Sequence, residues 1–421
     1  MQSSPPLLDI LLNAFITDDQ AMLAQIQRER AAECAAIRAV ISTDKPGGVS
    51  LDLDLGVASN EYVTPFFAGP RLLFISGGIS LQAALAGGES QVLLDYSLSF
   101  DSNFAKDMKA VIDQHNVDPV VRERVLSVLR LKAQNQAVQF DLLPFLIENT
   151  RLVRDDADNN RPLDTLIAFR MLDHLDWHAF QEQPDQLAFV VPPDTLRETL
   201  RPDAARFLQE LCASEDVRNI EAGSLATQAL LLRFGRLFQQ HPRQPRPQQV
   251  LQELIAYSVL QLGSLRLSEL RLIWRGLTQQ KGKPFLGPIT GQSKSLLSDV
   301  RGMAWDMSLL RVLERNATAY QNNAFFLPYF VSVDRRWREL LRLAQYDLML
   351  VDDSRAAALF AHKEELAFQQ VLQASVPATL RSEFTPEKVH ARRLAAKNPE
   401  VDVLRRRVNE EADGWEQRTP L

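Results

Sequence analysis

The chain has 421 residues, more than one hydrophobic core usually serves, so its length predicts two or three domains or one domain with a large insertion. A hydrophobic content of 46 % with 24 % charged residues is ordinary for a globular protein and excludes wholesale disorder. The net charge of −6 excludes a global basic field for sequence-independent nucleic-acid binding, although a local basic rim would still suffice for a nuclease.

The sequence predicts a cytoplasmic protein that is not embedded in a membrane. The first twenty residues carry Asp9, Asp18 and Asp19 and no basic residue, which is the wrong charge for a leader. The apolar runs are shorter than the roughly 20 residues that a membrane span needs. Two cysteines, Cys34 and Cys212, cannot build a disulfide framework.

Hydrophobic periodicity predicts helices and strands that alternate in blocks along the chain. Leucines three and four residues apart predict helix through residues 1–42, and a period of two predicts a strand over 49–55. Further strands are expected at 71–75, 91–100 and 325–333. We therefore expect an N-terminal helical segment (1–48), a first half of an α/β core (49–155), a helical insertion (156–284), a second half of the core (285–351) and a charged helical tail (352–421).

The segment QVLLDYSLSFDSNF is an apolar strand that ends in Asp101 and continues directly into a helix. In open α/β sheets, ligands bind at the carboxyl ends of the strands, which is where this carboxylate is placed. Asp95 lies on the same face of a regular strand. The alternative is that Asp101 only caps the following helix, as aspartates in this position routinely do.

A second strand, in AFFLPYFVSVDRRWRELL, ends in the same way in Asp334 and continues into an arginine-rich helix. In a parallel sheet both carboxylates would meet at one edge, and an unneutralised pair there is costly unless a divalent cation binds. Two helical acids, Glu148 and Asp306, have apolar neighbours, which is unusual for a carboxylate that is neither paired nor bound to metal. The alternative for Asp306 is a salt bridge to a nearby arginine.

Together these acids resemble the pattern of the PIN-like nuclease superfamily. The matching residues are Asp101-Ser102-Asn103, the helical Glu148 and Asp306, and Val331-Ser332-Val333-Asp334. The resemblance implies an α/β fold with a mostly parallel sheet of PIN-like type, here with a large helical insertion and helical N- and C-terminal extensions. It also implies that Asp101, Glu148, Asp306 and Asp334 hold Mg²⁺ or Mn²⁺ for phosphodiester cleavage, with RNA favoured over DNA.

Three residues beside the acids are predicted to contact the substrate: Asn103 to orient water or an acid, and Arg335 and Arg336 to meet phosphate oxygens. Asp164 is an alternative third acid.

The rival interpretation is a non-enzymatic scaffold or regulator with an α/β core, which the acidic composition favours. The tail beyond about residue 385 lacks a wide apolar stripe, so we expect it to be weakly held. Its arginines would then be available to a protein partner or a nucleic acid: Arg392, Arg393, Arg405, Arg406 and Arg407.

Overall fold

The computed structural model is an α/β protein with 66 % helix and two β-sheets, which confirms the predicted α/β class. It describes residues 7–51, 60–85, 90–156, 158–240, 246–279, 283–290, 295–321, 324–396 and 399–416. Within those ranges no helix is long and apolar enough to cross a membrane.

Within the described residues the secondary structure consists of nineteen α-helices, two 3₁₀-helices (Leu172–His174 and Ala378–Phe384) and ten strands. The strands are β1 (Ile37–Thr43), β2 (Val49–Ser50), β3 (Val63–Pro65), β4 (Arg71–Ile75), β5 (Leu93–Phe100), β6 (Val138–Asp141), β7 (Tyr320–Gln321), β8 (Ala324–Val331), β9 (Leu348–Asp352) and β10 (Ala357–Ala361). The helices are α1 (Leu7–Ile16), α2 (Gln20–Glu29), α3 (Ala31–Cys34), α4 (Gly77–Leu85), α5 (Ser102–Ile112), α6 (Pro119–Gln134), α7 (Leu143–Asp155), α8 (Arg161–Met171), α9 (Trp177–Glu182), α10 (Pro193–Ala213), α11 (Glu215–Gln240), α12 (Pro247–Leu260), α13 (Leu267–Thr278), α14 (Lys283–Thr290), α15 (Leu296–Thr318), α16 (Arg335–Ala344), α17 (Glu365–Ser375), α18 (Pro386–Ala395) and α19 (Val401–Glu416).

The chain divides into two compact units, each built from two stretches of sequence. The first unit comprises residues 1–208 and 313–365 and contains both sheets. The second comprises residues 209–312 and 366–421, and its described elements are helical.

The sheet that carries the candidate site has the strand order β3-β8-β5-β6. Strand β5 pairs in parallel with β8 on one side and with β6 on the other, whereas β3 and β7 pair with β8 in the antiparallel sense. The predicted strands at 91–100 and 325–333 are therefore confirmed as direct parallel neighbours. Phe100 anchors one face of this sheet, with its ring 5.0 Å from that of Phe169 and 5.4 Å from that of Phe140.

The second sheet of the first unit is antiparallel, in the order β10-β9-β1-β4-β2. Its central strand β1 corrects the expectation of helix through residue 42: the run IRAVIST has β-branched residues, and it pairs with β9 and β4. The predicted strand at 71–75 is confirmed as β4, but it joins this sheet. Of the predicted strand at 49–55, Val49–Ser50 is confirmed, and residues 52–55 lie outside the described residues.

The end of the tail is packed in the second unit, which corrects the expectation that residues beyond about 385 are weakly held. Helix α19 lies along α11: the indole Nε1 of Trp415 donates to the carbonyl of Leu232 at 3.0 Å, and Arg236 pairs with the buried Glu411 at 2.7 Å. Several tail arginines already have acidic partners in the same unit: Arg392 pairs with Glu383, Arg405 with Glu221, and Arg407 with Glu410. These ion pairs weaken the prediction that the tail offers its arginines to a partner.

We expect Gly235→Ala to destabilise the second unit by about 1–3 kcal/mol, because overpacking forces neighbouring groups to shift. A Cβ at Gly235 of α11 would lie 2.5 Å from Cζ2 of Trp415 and 2.7 Å from Cγ2 of Ile289. Gly302→Ala is the control, since Gly302 lies on helix α15 with no described atom within 4 Å of an added Cβ. The control should gain about 0.5–1 kcal/mol from helix propensity. Urea denaturation measures both, and equal effects would contradict close packing at Gly235.

Candidate functional site

Asp101 lies at the carboxyl end of β5 and begins helix α5. The strand register ends with Phe100 opposite Val331, and the amide of Asp101 donates to the carbonyl of Val331 at 3.1 Å. Its carboxylate accepts from the amide of Phe104 at 2.6 Å, as a helix cap does, and also from the hydroxyl of Ser332. Asp101 therefore does cap helix α5, as the alternative interpretation expected. It is also buried, since only 7 % of the residue is exposed.

Asp334 follows the neighbouring strand β8 and caps helix α16, since it accepts from the amides of Arg336 at 2.7 Å and Trp337 at 3.4 Å. Between the two strand ends, the hydroxyl of Ser332 accepts from the amide of Asp334 at 2.9 Å and donates to Asp101. One buried hydroxyl thus connects the two aspartates.

Glu148 reaches the same edge from helix α7. Its Oε2 accepts from the hydroxyl of Ser102, the residue directly after Asp101, at 2.5 Å. The Ser102 oxygen in turn accepts from the amide of Asn149 at 2.9 Å. The structure therefore brings Asp101, Glu148 and Asp334 to one edge of the parallel strands, as the sequence analysis expected for these three residues.

The environment of Asp101 raises the pKa of its carboxyl from 3.8 to about 7. Burial is the main cause, and the hydrogen bonds from Ser332 and Phe104 oppose it. The negative charges of Glu148 and Asp334 raise the pKa further. A cation at this edge would relieve that repulsion.

The donor chemistry fits a hard divalent cation, because carboxylate and hydroxyl oxygens are the ligands that Mg²⁺ and Mn²⁺ prefer. These side chains therefore suit such a cation by their chemistry and their charge, but not by their spacing in this structure. In the described part of the chain, no three acidic, histidine or cysteine side chains are grouped closely enough to hold a metal ion.

The other two candidate acids have different surroundings. Asp306 lies on the part of α15 that belongs to the second unit, so its place among the ligands stays a prediction. Asp164, on α8 in the first unit, forms an ion pair with Arg201 at 3.0 Å. That pair gives Asp164 a structural role as a helix-surface acid.

The predicted substrate contacts begin the two helices that follow the acids. Asn103 is exposed in the first turn of α5, and Arg335 and Arg336 are exposed in the first turn of α16. Arg335 pairs with Glu339 at 3.0 Å and is 85 % exposed. Because α5 and α16 start at adjacent parallel strand ends, Asn103, Arg335 and Arg336 lie beside the two aspartates. The amides of Phe104, Arg336 and Trp337 already donate to those aspartates, so only the side chains remain for a substrate.

The sequence analysis missed a third strand-end aspartate, Asp141. It ends the short strand β6 and accepts from the hydroxyl of Ser99 at 2.7 Å, the side-chain amide of Asn316 at 3.2 Å and the amide of Leu143 at 2.9 Å. Burial raises the pKa of its carboxyl. The available signal was the alternation of Val138 and Phe140 before an aspartate. A strand of four residues is too short for that alternation to be distinctive.

No protein-family model, curated protein or solved structure matches this chain.

Proposed function

We propose that the first unit is a divalent-metal-dependent nuclease of the PIN-like type, in which Asp101, Glu148 and Asp334 close around Mg²⁺ or Mn²⁺ when the ion binds. One observation carries the proposal: Asp101 is almost fully buried at the end of a parallel strand, with two further carboxylates close enough to raise its pKa. Groups whose pKa is shifted by burial and by neighbouring like charges cluster at functional sites, and a cation bound among these carboxylates would relieve their repulsion.

In this proposal the metal, when bound, would lower the pKa of a bound water molecule and neutralise negative charge on the phosphate. The protein supplies the rest. Ser332 and Ser102 hold the carboxylates in place, and Asn103, Arg335 and Arg336 bind and orient the phosphodiester from the first turns of α5 and α16. RNA is the proposed substrate because the sequence resemblance favours it.

The second candidate function is a scaffold or regulatory protein-binding module. The observation that favours it is that each strand-end aspartate already has a structural role: Asp101, Asp141 and Asp334 all accept amide hydrogen bonds at helix starts. On this view the acids need no metal, and a protein partner would bind elsewhere, with the charged tail as one candidate surface.

Cleavage of a single-stranded RNA and of a DNA of the same sequence distinguishes the two functions. The wild type should cleave with Mn²⁺ and stop with EDTA, and Asp101→Asn, Glu148→Gln and Asp334→Asn should each lose at least about 100-fold in rate, since charge neutralisation by a metal is worth several kcal/mol. Asparagine at 101 and 334 keeps one oxygen for the helix-cap hydrogen bond, and glutamine at 148 keeps one for Ser102; at position 101 the amide NH₂ then faces the Ser332 oxygen as a donor, so the fold is kept.

The matched control is Asp118→Asn, which alters a capping aspartate at the start of α6, where it accepts from the amide of Val120 at 2.8 Å. This variant should cleave like the wild type. Absence of Mn²⁺-dependent cleavage, together with no thermal stabilisation of the wild type by millimolar Mn²⁺, would favour the scaffold.

A further inference from the structure

Strand β4 and the helix α4 that follows it expose four large apolar side chains, which we call the β4–α4 surface. On β4, Leu73 is 37 % exposed and Ile75 is 39 % exposed, and the residues that alternate with them are buried or face the strand ends. On α4, Leu81 is 63 % exposed and Leu85 is 81 % exposed, and the helix buries none of its described residues. These side chains have no apolar cover within the first unit.

The β4–α4 surface carries no charge. The sequence from 72 to 85 is LLFISGGISLQAAL, in a chain of which 24 % of the residues are charged. Exposed strand edges in natural proteins normally carry lysines, prolines or bulges, which prevent association. An exposed run of apolar residues without such protection marks a place where another molecule binds.

Helix α4 needs a packing partner to be stable. It has nine residues, starts with Gly77 and Gly78, and has no charged side chain for an ion pair; isolated helices of this length are unstable in water. The chain nevertheless fixes where it starts. The Ser76 hydroxyl accepts from the amide of Ile79 at 3.2 Å, and a Cβ at Gly77 would lie only 2.6 Å from the carbonyl oxygen of Ala35. The start of the helix is built into the first unit, and its apolar side chains are left for a partner.

The edge of β4 that faces away from β1 is open beyond Leu72. Strand β2 pairs with β4 only at Arg71 and Leu72, whereas β1 pairs with β4 along its whole length. The amide of Leu51 donates to the carbonyl of Pro70 at 2.9 Å on the β2 side. Because backbone groups alternate along a strand, Phe74 also directs its N–H and C=O to that side, where the described residues provide no strand to pair with it.

We propose that the β4–α4 surface binds a second copy of this chain, with the two β4 strands antiparallel about a two-fold axis at Phe74. Around such an axis each Phe74 donates its N–H to the carbonyl of the other, and Leu73 of one copy lies opposite Ile75 of its partner. An uncharged face is complementary to its own copy, because no like charges meet. The proposal is independent of the nuclease function.

A membrane surface fits α4 less well than a second copy does. Helices that lie on membranes carry lysine and arginine on their polar side, which attract anionic lipid. The polar residues of α4 beyond its glycines are Ser80 and Gln82, and neither is charged.

Sedimentation velocity of the full chain, from about 1 to about 100 µM, tests the proposal. The wild type should have twice the chain mass of 47.5 kDa. Leu81→Glu combined with Leu85→Glu should have the mass of one chain and an unchanged circular dichroism spectrum, because both side chains are exposed within the chain and their carboxylates would be buried only in the dimer. Val120→Glu is the matched control: Val120 is 68 % exposed on α6 of the same unit, and the variant should remain a dimer.

Cysteine cross-linking tests the two-fold axis. Residues opposite each other in a non-hydrogen-bonded antiparallel pair have Cα atoms about 4.5 Å apart, which a disulfide can span. Leu73→Cys combined with Ile75→Cys should therefore link two chains covalently when diamide takes up the thiol hydrogens. The wild type, with Cys34 and Cys212, and Val120→Cys should not be linked.

Each outcome decides one part of the proposal. A wild type with the mass of one chain at every concentration overturns it, and binding of that monomer to lipid vesicles would assign the surface to a membrane. A dimer that persists with glutamate at positions 81 and 85 overturns the role of α4. A dimer that diamide does not cross-link through positions 73 and 75 overturns the axis at Phe74. Loss of RNA cleavage bears on none of these results, since the mass is measured without nucleic acid.

Discussion

Asp101→Asn is expected to stabilise the metal-free protein at neutral pH. The pKa of this buried carboxyl is about 7 in the folded protein, whereas an aspartate without these interactions has a pKa of 3.8. Between these values the folded state binds more protons than the unfolded state, so the free energy of unfolding falls as the pH rises. At pH 7 and above, ionisation of Asp101 costs up to about 4 kcal/mol. Asparagine carries no charge and removes this cost.

Thermal unfolding in EDTA from pH 4 to pH 8 measures the effect. The wild type and Asp101→Asn should have similar stability near pH 4, and the variant should gain progressively up to about pH 7 and then hold its advantage. Asp334→Asn is the control, because Asp334 is exposed and asparagine caps a helix equally well; its effect should stay well below that at Asp101. If Asp101→Asn were destabilised at pH 7, or if its stability difference from the wild type did not vary with pH, the ionised form of Asp101 would not be disfavoured by burial.

Glu269→Gln should cost about 3–5 kcal/mol, the largest loss we predict, because it breaks a buried ionic cluster in the second unit. Glu269 is fully buried, and its Oε1 accepts from Thr227 at 2.6 Å, from Arg266 at 2.8 Å and from Arg311. Burial alone would raise the pKa of Glu269, yet the charges of Arg266 and Arg311 hold it well below its usual range. Glutamine leaves the two guanidinium groups without this neutralising charge.

Urea denaturation followed by circular dichroism measures that loss. Because the folded pKa of Glu269 is lowered, its stabilisation is present at neutral pH and is lost only on strong acidification, so the variant and the wild type should converge there. Glu410→Gln is the matched control: Glu410 pairs with Arg407 at 2.7 Å but is 59 % exposed, so the change should cost under about 1 kcal/mol. Equal losses in the two variants would show that the cluster at Glu269 contributes no more than a surface pair.

Local patterns predicted the elements whose signals lie within their own residues. Asp118-Pro119 is such a local signal for a helix start, and the side chain of Asp118 caps α6 with proline at its first position. The strands at β4, β5 and β8 were found because they are bounded by glycines or by helix starts. Such signals need no knowledge of the rest of the chain.

Other elements were missed because their stability comes from distant partners. Strand β1 follows an alanine-rich helical stretch, and it is a strand because it pairs with β4 and with β9, the latter about three hundred residues later in the chain. Helix α19 was predicted as part of the charged helical tail, but its packing was missed, although Leu404, Val408, Glu411 and Trp415 recur at helical spacing. The charge of Glu411 concealed this buried stripe, because a glutamate is expected at the surface unless it is paired.

The sequence by itself determined that an aspartate stands between a strand and a helix at Asp101 and at Asp334, because strand period, strand end and helix start are all local properties. Only the tertiary structure decided that β5 and β8 are parallel neighbours in this register, that Glu148 lies beside Asp101, and that Asp141 ends a third strand of the same sheet. Strand register and side-chain proximity depend on contacts between residues far apart in the chain, which no window of sequence contains. The burial that raises the pKa of Asp101 is likewise a property of the packed fold.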